Sequence, residues 1–277
     1  MYIGVLTAPI REKPLSEVIS WASSNNIAGL EVDVSSGSHL DATTAGEVVV
    51  ENTLELLKKH NVKISALAAY TALTGTTPEK IEINRKFLER AIALATRLGV
   101  DTICTLGGFP STEKDRFRTI KEDLAYILKP LLERAQQHNI RIALENWYAT
   151  NLQNLDHWVA LFEALPNENL GLNFDPSHLA WQGIDPIGAI YEFRDRIFHF
   201  HAKDVTINPS LRSRRGILGE GWWRYVLPGY GVLQWGEIIG ALRDIGYDGA
   251  ISIEHEDRAF PTEEGFIRAS RFLSELI

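Results

Sequence analysis

One cysteine in 277 residues means that the chain can close no internal disulfide and must rest on its core. That residue, Cys104, lies in the apolar run Asp101-Thr-Ile-Cys-Thr-Leu106, where a small buried hydrophobe fits better than a nucleophile. Long apolar stretches are also missing, since nothing approaches the roughly 18 apolar residues of a membrane span. The start, Met1-Tyr-Ile-Gly-Val-Leu-Thr7, lacks a basic segment followed by a long apolar one, and the expected location is cytoplasmic. Positive charge is in deficit: 28 Lys and Arg against 36 Asp and Glu give a formal charge of −8, which leaves no cationic footprint for nucleic acid. A small neutral or weakly charged ligand suits this balance better. No linker divides the chain, and its length is near the ~250 residues of a single α/β barrel.

What the sequence does hold is an alternation. Apolar runs with strand character span Tyr2–Leu6, Ile27–Asp33, Val62–Ala68, Asp101–Leu106, Ile140–Glu145, Leu170–Asp175, Ile197–Ala202 and Ala250–Glu254. Between and after them lie eight segments of helical periodicity, among them Ala45–His60, Asp115–His138, Leu155–Leu165 and Trp235–Ile245. Another carries Phe87, Ala91, Leu94, Ala95 and Leu98 and stops at Gly99, a residue suited to ending a helix. Eight strands alternating with eight helices predict a single-domain (β/α)8 TIM barrel over 1–277. The Gly-rich first turn of a doubly wound sheet is absent. From the seventh strand to the eighth the spacing doubles, which predicts an inserted loop at about 204–231, long enough to be functional.

Chemistry-bearing residues gather at the strand ends. Side chains alternate along a strand, so in Ile-Phe-His-Phe-His-Ala-Lys the residues His199, His201 and Lys203 share one face. Glu145, Asp175 and Glu254 terminate three other runs. Inside a parallel barrel these ends form the catalytic face. Three carboxylates and an imidazole there suit one divalent ion, Mn, Mg, Co, Fe or Zn, with positions left open for substrate or water. His178, three residues after Asp175, is placed to reach the same space.

These residues, with Asp175-Pro-Ser-His178, His199-Phe-His201-Ala-Lys-Asp204 and Pro228-Gly-Tyr-Gly231 followed by Trp235, resemble the xylose-isomerase-like barrels. More closely the chain resembles their sugar phosphate isomerase/epimerase branch, with its ketose 3-epimerases, hydroxypyruvate isomerases and inosose dehydratases. The resemblance implies one ion held by Glu145, Asp175, His201 and Glu254, chelating neighbouring oxygens of a ketose or related ketone and stabilising the enediolate formed when the adjacent C–H is lost. It implies Glu145 and Glu254 as the acid/base pair, and His178 as a substrate-oxygen ligand. His199, Lys203, Trp147, Trp181, Trp222 and Trp223 complete the candidate substrate-binding set, the tryptophans as apolar faces for a sugar. A run of Arg212, Arg214 and Arg215 is either an anion-contacting rim or a solvated tip.

The expected activity is a metal-dependent isomerase or epimerase on a keto-sugar. The alternative is a lyase, a dehydratase or eliminase sharing the first half-reaction. An apurinic-site endonuclease on the same barrel is disfavoured: it needs extra histidines at early strand ends, where only His39 is available, and Asp204 is followed by Val-Thr rather than x-His. Homo-oligomerisation through barrel helices fits the resemblance, although no exposed apolar stripe marks the contact.

Overall fold

A computed structural model describes all 277 residues. In chain order the strands are β1 (Tyr2–Leu6), β2 (Gly29–Asp33), β3 (Lys63–Ala68), β4 (Thr102–Leu106), β5 (Arg141–Glu145), β6 (Leu170–Phe174) and β7 (Ile197–Ala202), then β8 (Asp204–Ile207), β9 (Trp223–Val226) and β10 (Ala250–Ile253). All but β8 and β9 form one closed parallel barrel in the order β1-β10-β7-β6-β5-β4-β3-β2. Strands of such a barrel are covered on both faces, and β2 and β6 are buried at every position. This is why apolar residues fill most of both strands, interrupted only by Glu31, Asp33 and Asn173. The ring closes where Tyr2 pairs with Ala250 and Val5 with Ile253. The barrel is a (β/α)8 TIM barrel in a single domain.

The helices lie outside the ring. Leu15–Ser24, Glu47–His60 and Pro78–Leu98 follow the first three strands. The third starts under Thr77, whose hydroxyl accepts the Lys80 N–H, and ends at Gly99, which adopts a positive φ of 67°. Trp158 of Leu155–Ala164 is fully buried and packs edge-on against Phe174 and Phe193, joining that helix to the sheet.

Two segments depart from the sequence reading. The helix expected over Asp115–His138 begins at Arg116 and has a wider π turn at Thr119–Leu124 before continuing as Ala125–Gln137 around Pro130, which contributes no N–H. The inserted loop has structure of its own. β8 and β9 pair antiparallel, Asp204 with Val226 and Ile207 with Trp223, and a short helix, Pro209–Arg215, sits between them. The insertion therefore stands as a hairpin over the C-terminal end of the barrel. Its exposed tip carries Ile217 and Leu218.

Candidate metal centre

Four strands deliver four ligands to one point. Glu145 is the last residue of β5, Asp175 follows β6, His201 is the fifth of the six residues of β7, and Glu254 follows β10. One ligand atom from each lies within 4.8 Å of the others. In barrel order β6 and β7 lie between β5 and β10. Asp175 and His201 therefore occupy the middle, with Glu145 and Glu254 on opposite flanks. The Asn146 side chain ties two of the strand ends: its Oδ1 accepts the Asp175 N–H at 2.7 Å and its Nδ2 donates to the Asp175 carbonyl at 2.8 Å. Asp175 Oδ1 then accepts the Ser177 N–H at 2.7 Å, starting the short helix that aims His178 back at the site.

Hydrogen bonding in this cluster is incomplete in an informative way. His201 Nδ1 is 3.0 Å from Glu254 Oε2 and 3.6 Å from Glu145 Oε1, and Asp175 Oδ2 is 3.1 Å from the Lys203 ammonium. Yet both His201 Nδ1 and Asp175 Oδ2 are buried without a partner in hydrogen-bonding geometry. Buried polar atoms are normally satisfied, so two orphans facing one point fit a site shaped for an ion. A donor set of three oxygens and one nitrogen suits a divalent cation of the Mg-to-Zn range.

Lys203 completes the electrostatics. Its ammonium lies 2.6 Å from Glu254 Oε2, 3.5 Å from Glu256 Oε2 and 3.4 Å from His178 Nε2, and is fully buried. Burial opposes its charge, but Asp175, Glu254, Glu256 and Glu145 outweigh that and hold its pKa well above the ordinary lysine value. The same balance acts on the acids. Burial raises Asp175, while Lys203 and the two imidazoles bring it below the usual range. Burial raises Glu145, and the His178 hydrogen bond together with the adjacent His201 and Lys203 brings it well below the usual range. Three carboxylates facing one divalent ion and one ammonium would be neutral as a set.

The remaining expected residues divide. His178 is buried with Nδ1 2.6 Å from the Tyr225 hydroxyl, so Tyr225 donates and the opposite N–H points at Glu145 Oε1, 3.3 Å away. Trp223 stacks on Trp181 with centroids 4.5 Å apart and planes at 10°, and Tyr148 meets both rings edge-on. Trp147 packs edge-on against Phe109 and Tyr148 at the same rim. Two residues stand apart. Trp222 is 2% exposed behind this wall, under the Arg212 guanidinium at 5.8 Å, so it supports the hairpin instead of facing the mouth. His199 lies one layer deeper in the barrel, its ring nitrogens held by Asn173 Oδ1 at 2.9 Å and Ser65 Oγ at 3.2 Å, so it does not line the mouth. Burial, partly offset by Glu31, lowers its pKa to about 4. His39 is tied to the Lys13 carbonyl and the Thr7 hydroxyl, away from the quartet.

Sequence reasoning missed Tyr70, Tyr148, Tyr225, Asn146, Asn173 and Glu256. Asn173, two residues before Asp175 on β6, and Glu256, two beyond Glu254, had a spacing signal, and the others had none. Between the hairpin and the β10 loop lies a cavity of about 720 Å³ walled by Trp223, Tyr225, Phe260 and Glu256, which is joined to the quartet through Glu256, 3.5 Å from the Lys203 ammonium. Its two arginines do not form an anion clamp, because Arg224 is paired with Asp257 at 3.0 Å and Arg258 is exposed.

A closed parallel barrel with metal-suited groups at its C-terminal face defines a class, and residues 19–276 match the family model for the xylose isomerase-like TIM barrel. The chain belongs to that family. It is 27% identical to the uncharacterized protein YfiH of Bacillus subtilis over an alignment of 316 residues covering 100% of this chain and 99% of that one. It is 29% identical to inosose dehydratase of Lacticaseibacillus casei over 159 residues, spanning 55% of this chain and 53% of the relative, about half of each. Among solved structures, the probable 3-dehydroshikimate dehydratase AsbF of Bacillus anthracis superposes with a TM-score of 0.79 at 20% identity, covering 99% of both chains. The zinc-bound IolI protein gives 0.79 at 18%, covering 100% of this chain and 99% of that one, and a D-allulose 3-epimerase from Methylomonas gives 0.74 at 18%, covering 100% and 98%. These superpositions show the shared fold. The curated relatives include proteins named as dehydratases, which are enzymes.

Proposed function

We propose that the protein is a divalent-metal-dependent enzyme that moves a proton at the carbon beside a ketone of a polyhydroxylated, keto-sugar-like substrate, acting as an isomerase or epimerase. The observation that carries this is the placement of Glu145 and Glu254 on opposite flanks of a cluster centred on His201 and Asp175. Glu145, Asp175, His201 and Glu254 would hold the ion, which when bound supplies Lewis-acid polarisation of a ketone. The chain's own groups do the rest. One glutamate takes the proton from the substrate carbon and the other returns a proton to the opposite face, each being within reach of a substrate seated between β5 and β10. Lys203, Trp223 and Trp181 orient hydroxyls and a sugar face, while Tyr148 and the hairpin restrict water. The adjoining cavity, with its aromatic walls and no free cation cluster, favours an unphosphorylated substrate.

A second reading, dehydration, is supported by one specific contact. The Tyr225–His178 hydrogen bond forms a proton-donating pair beside Glu145, able to protonate a departing hydroxyl. Names among the relatives, inosose dehydratase and 3-dehydroshikimate dehydratase, point the same way.

Incubation of metal-loaded protein in D2O with a panel of ketoses, inososes and dehydroshikimate, read by mass spectrometry, separates these outcomes. Uptake of one deuteron at unchanged composition supports the isomerase or epimerase. Loss of one water supports the lyase. No exchange and no product with any member would overturn both, and Glu145→Gln and Glu254→Gln should each reduce exchange at least about a hundredfold.

A further inference from the structure

We propose that Glu31 is a positioning residue that fixes the tautomer of His201, holding its ring proton on Nε2 so that the Nδ1 lone pair is presented to Glu145, Asp175 and Glu254. This rests on the reading of that quartet as a metal site. Glu31 lies on β2, across the barrel from β7, and is fully buried. Its Oε2 is 2.9 Å from His201 Nε2 and 2.9 Å from Ser252 Oγ, and its Oε1 accepts the Tyr70 hydroxyl at 2.6 Å. An ionised carboxylate only accepts, so the His201 nitrogen facing it must donate.

The neighbours agree with this assignment. Tyr70 Oη is 3.1 Å from His201 Nε2, but its one proton goes to Glu31. Asn173 Nδ2 also lies 3.0 Å from His201 Nε2 but has Tyr70 Oη at 2.9 Å as acceptor, and Asn173 Oδ1 accepts from His199 Nδ1 at 2.9 Å. The shortest contact of Nε2 is therefore with the Glu31 carboxylate, and the ring nitrogen of His201 left unpartnered is Nδ1. Reversing the tautomer would put a lone pair against a carboxylate and a proton among the three acids.

Glu31, His199 and His201 also lie close enough together to suggest an ion site of their own. Their atoms are already satisfied: Glu31 by three donors, His199 by Asn173 and Ser65. The deeper triad is therefore a support for the upper site. Partners of this kind, placed behind a metal-bound histidine, typically change metal affinity 10- to 100-fold.

Two measurements test the proposal without any substrate. Long-range 1H–15N spectra of Zn2+-loaded protein report which His201 nitrogen keeps its proton, and calorimetric titration with Zn2+ alone reports affinity and stoichiometry. Wild-type protein should show the proton on Nε2 and bind one ion per chain. Glu31→Gln should lower Zn2+ affinity about 10- to 100-fold and populate the Nδ1–H form. Unchanged affinity and tautomer in a folded Glu31→Gln overturn the proposal, as does an Nδ1 proton in the wild-type protein, a result that stands even where the variant fails to fold. Wild-type protein that takes up no ion overturns the metal reading instead, and is recognised separately from the tautomer.

Discussion

Lys203 and His178 show how one residue can be read from sequence and another feature of the same residue cannot. Alternation along β7 places Lys203 on the inward face, but which carboxylates it meets depends on β6 and β10, and its contacts reach Asp175, Glu254 and Glu256. His178 was marked by its distance from Asp175, whereas its hydroxyl partner Tyr225 comes from 47 residues further along. Alternation puts Glu31 on the same face of β2 as Asp33, but nothing local says that it ends beneath His201. His157 gives a prediction at the same scale. It is 6% exposed against Phe117 at 4.7 Å, with Nδ1 unpartnered, and burial together with nearby Arg116 lowers its pKa. The folded chain keeps it neutral where the unfolded chain, with an ordinary value near ~6.5, takes up a proton. More protons are then bound in the unfolded state, so this residue's contribution to stability is lost as pH falls through that value. Urea unfolding at pH 5.5 and 7.5 should show a smaller difference for His157→Phe than for wild type; an equal difference would assign the acid sensitivity elsewhere.

At the scale of elements, the eight barrel strands were legible because burial on both faces leaves each as a short apolar run between polar turns. The hairpin was legible only as excess length, because its pairing depends on one acid. Asp204 begins β8 and its carboxylate accepts five bonds: from Val205 N and Leu233 N on Oδ1, and from Gly229 N, Gly231 N and Trp235 Nε1 on Oδ2, all between 2.8 and 3.2 Å. Gly231 has no room for a Cβ, which would run into the Asp204 carboxylate and the Val205 carbonyl. The insertion is thus nailed down at both ends of its return path. Asp204→Asn should cost about 3 kcal/mol, because it weakens charge-assisted bonds and turns a donor toward backbone N–H groups. Chemical denaturation checks this, and a loss under about 0.5 kcal/mol would show the turn to be held by other contacts. Trp223→Ala removes the stacked partner of Trp181 while touching no ligand. It should reduce kcat/KM by about tenfold, the equivalent of ~1.4 kcal/mol, at unchanged metal content. Full activity would make the indole a packing residue only.

For the whole molecule, the chain's length and the alternation of eight apolar runs with helical segments sufficed to indicate a single barrel, and no helix is long and apolar enough to cross a membrane. What composition could not supply is the closure. The first strand finds one of its two neighbours only in the last strand, Tyr2 beside Ala250. This has a consequence in time. At ~5–20 residues per second of synthesis, β1 leaves the ribosome roughly 12 to 50 seconds before its partner exists. During that interval Ile3 and Val5, buried in the finished ring, sit on a strand with one open edge. Such a nascent chain offers an unpaired strand edge until its final segment emerges. Its birth, more than its finished state, is when it is most exposed to aggregation.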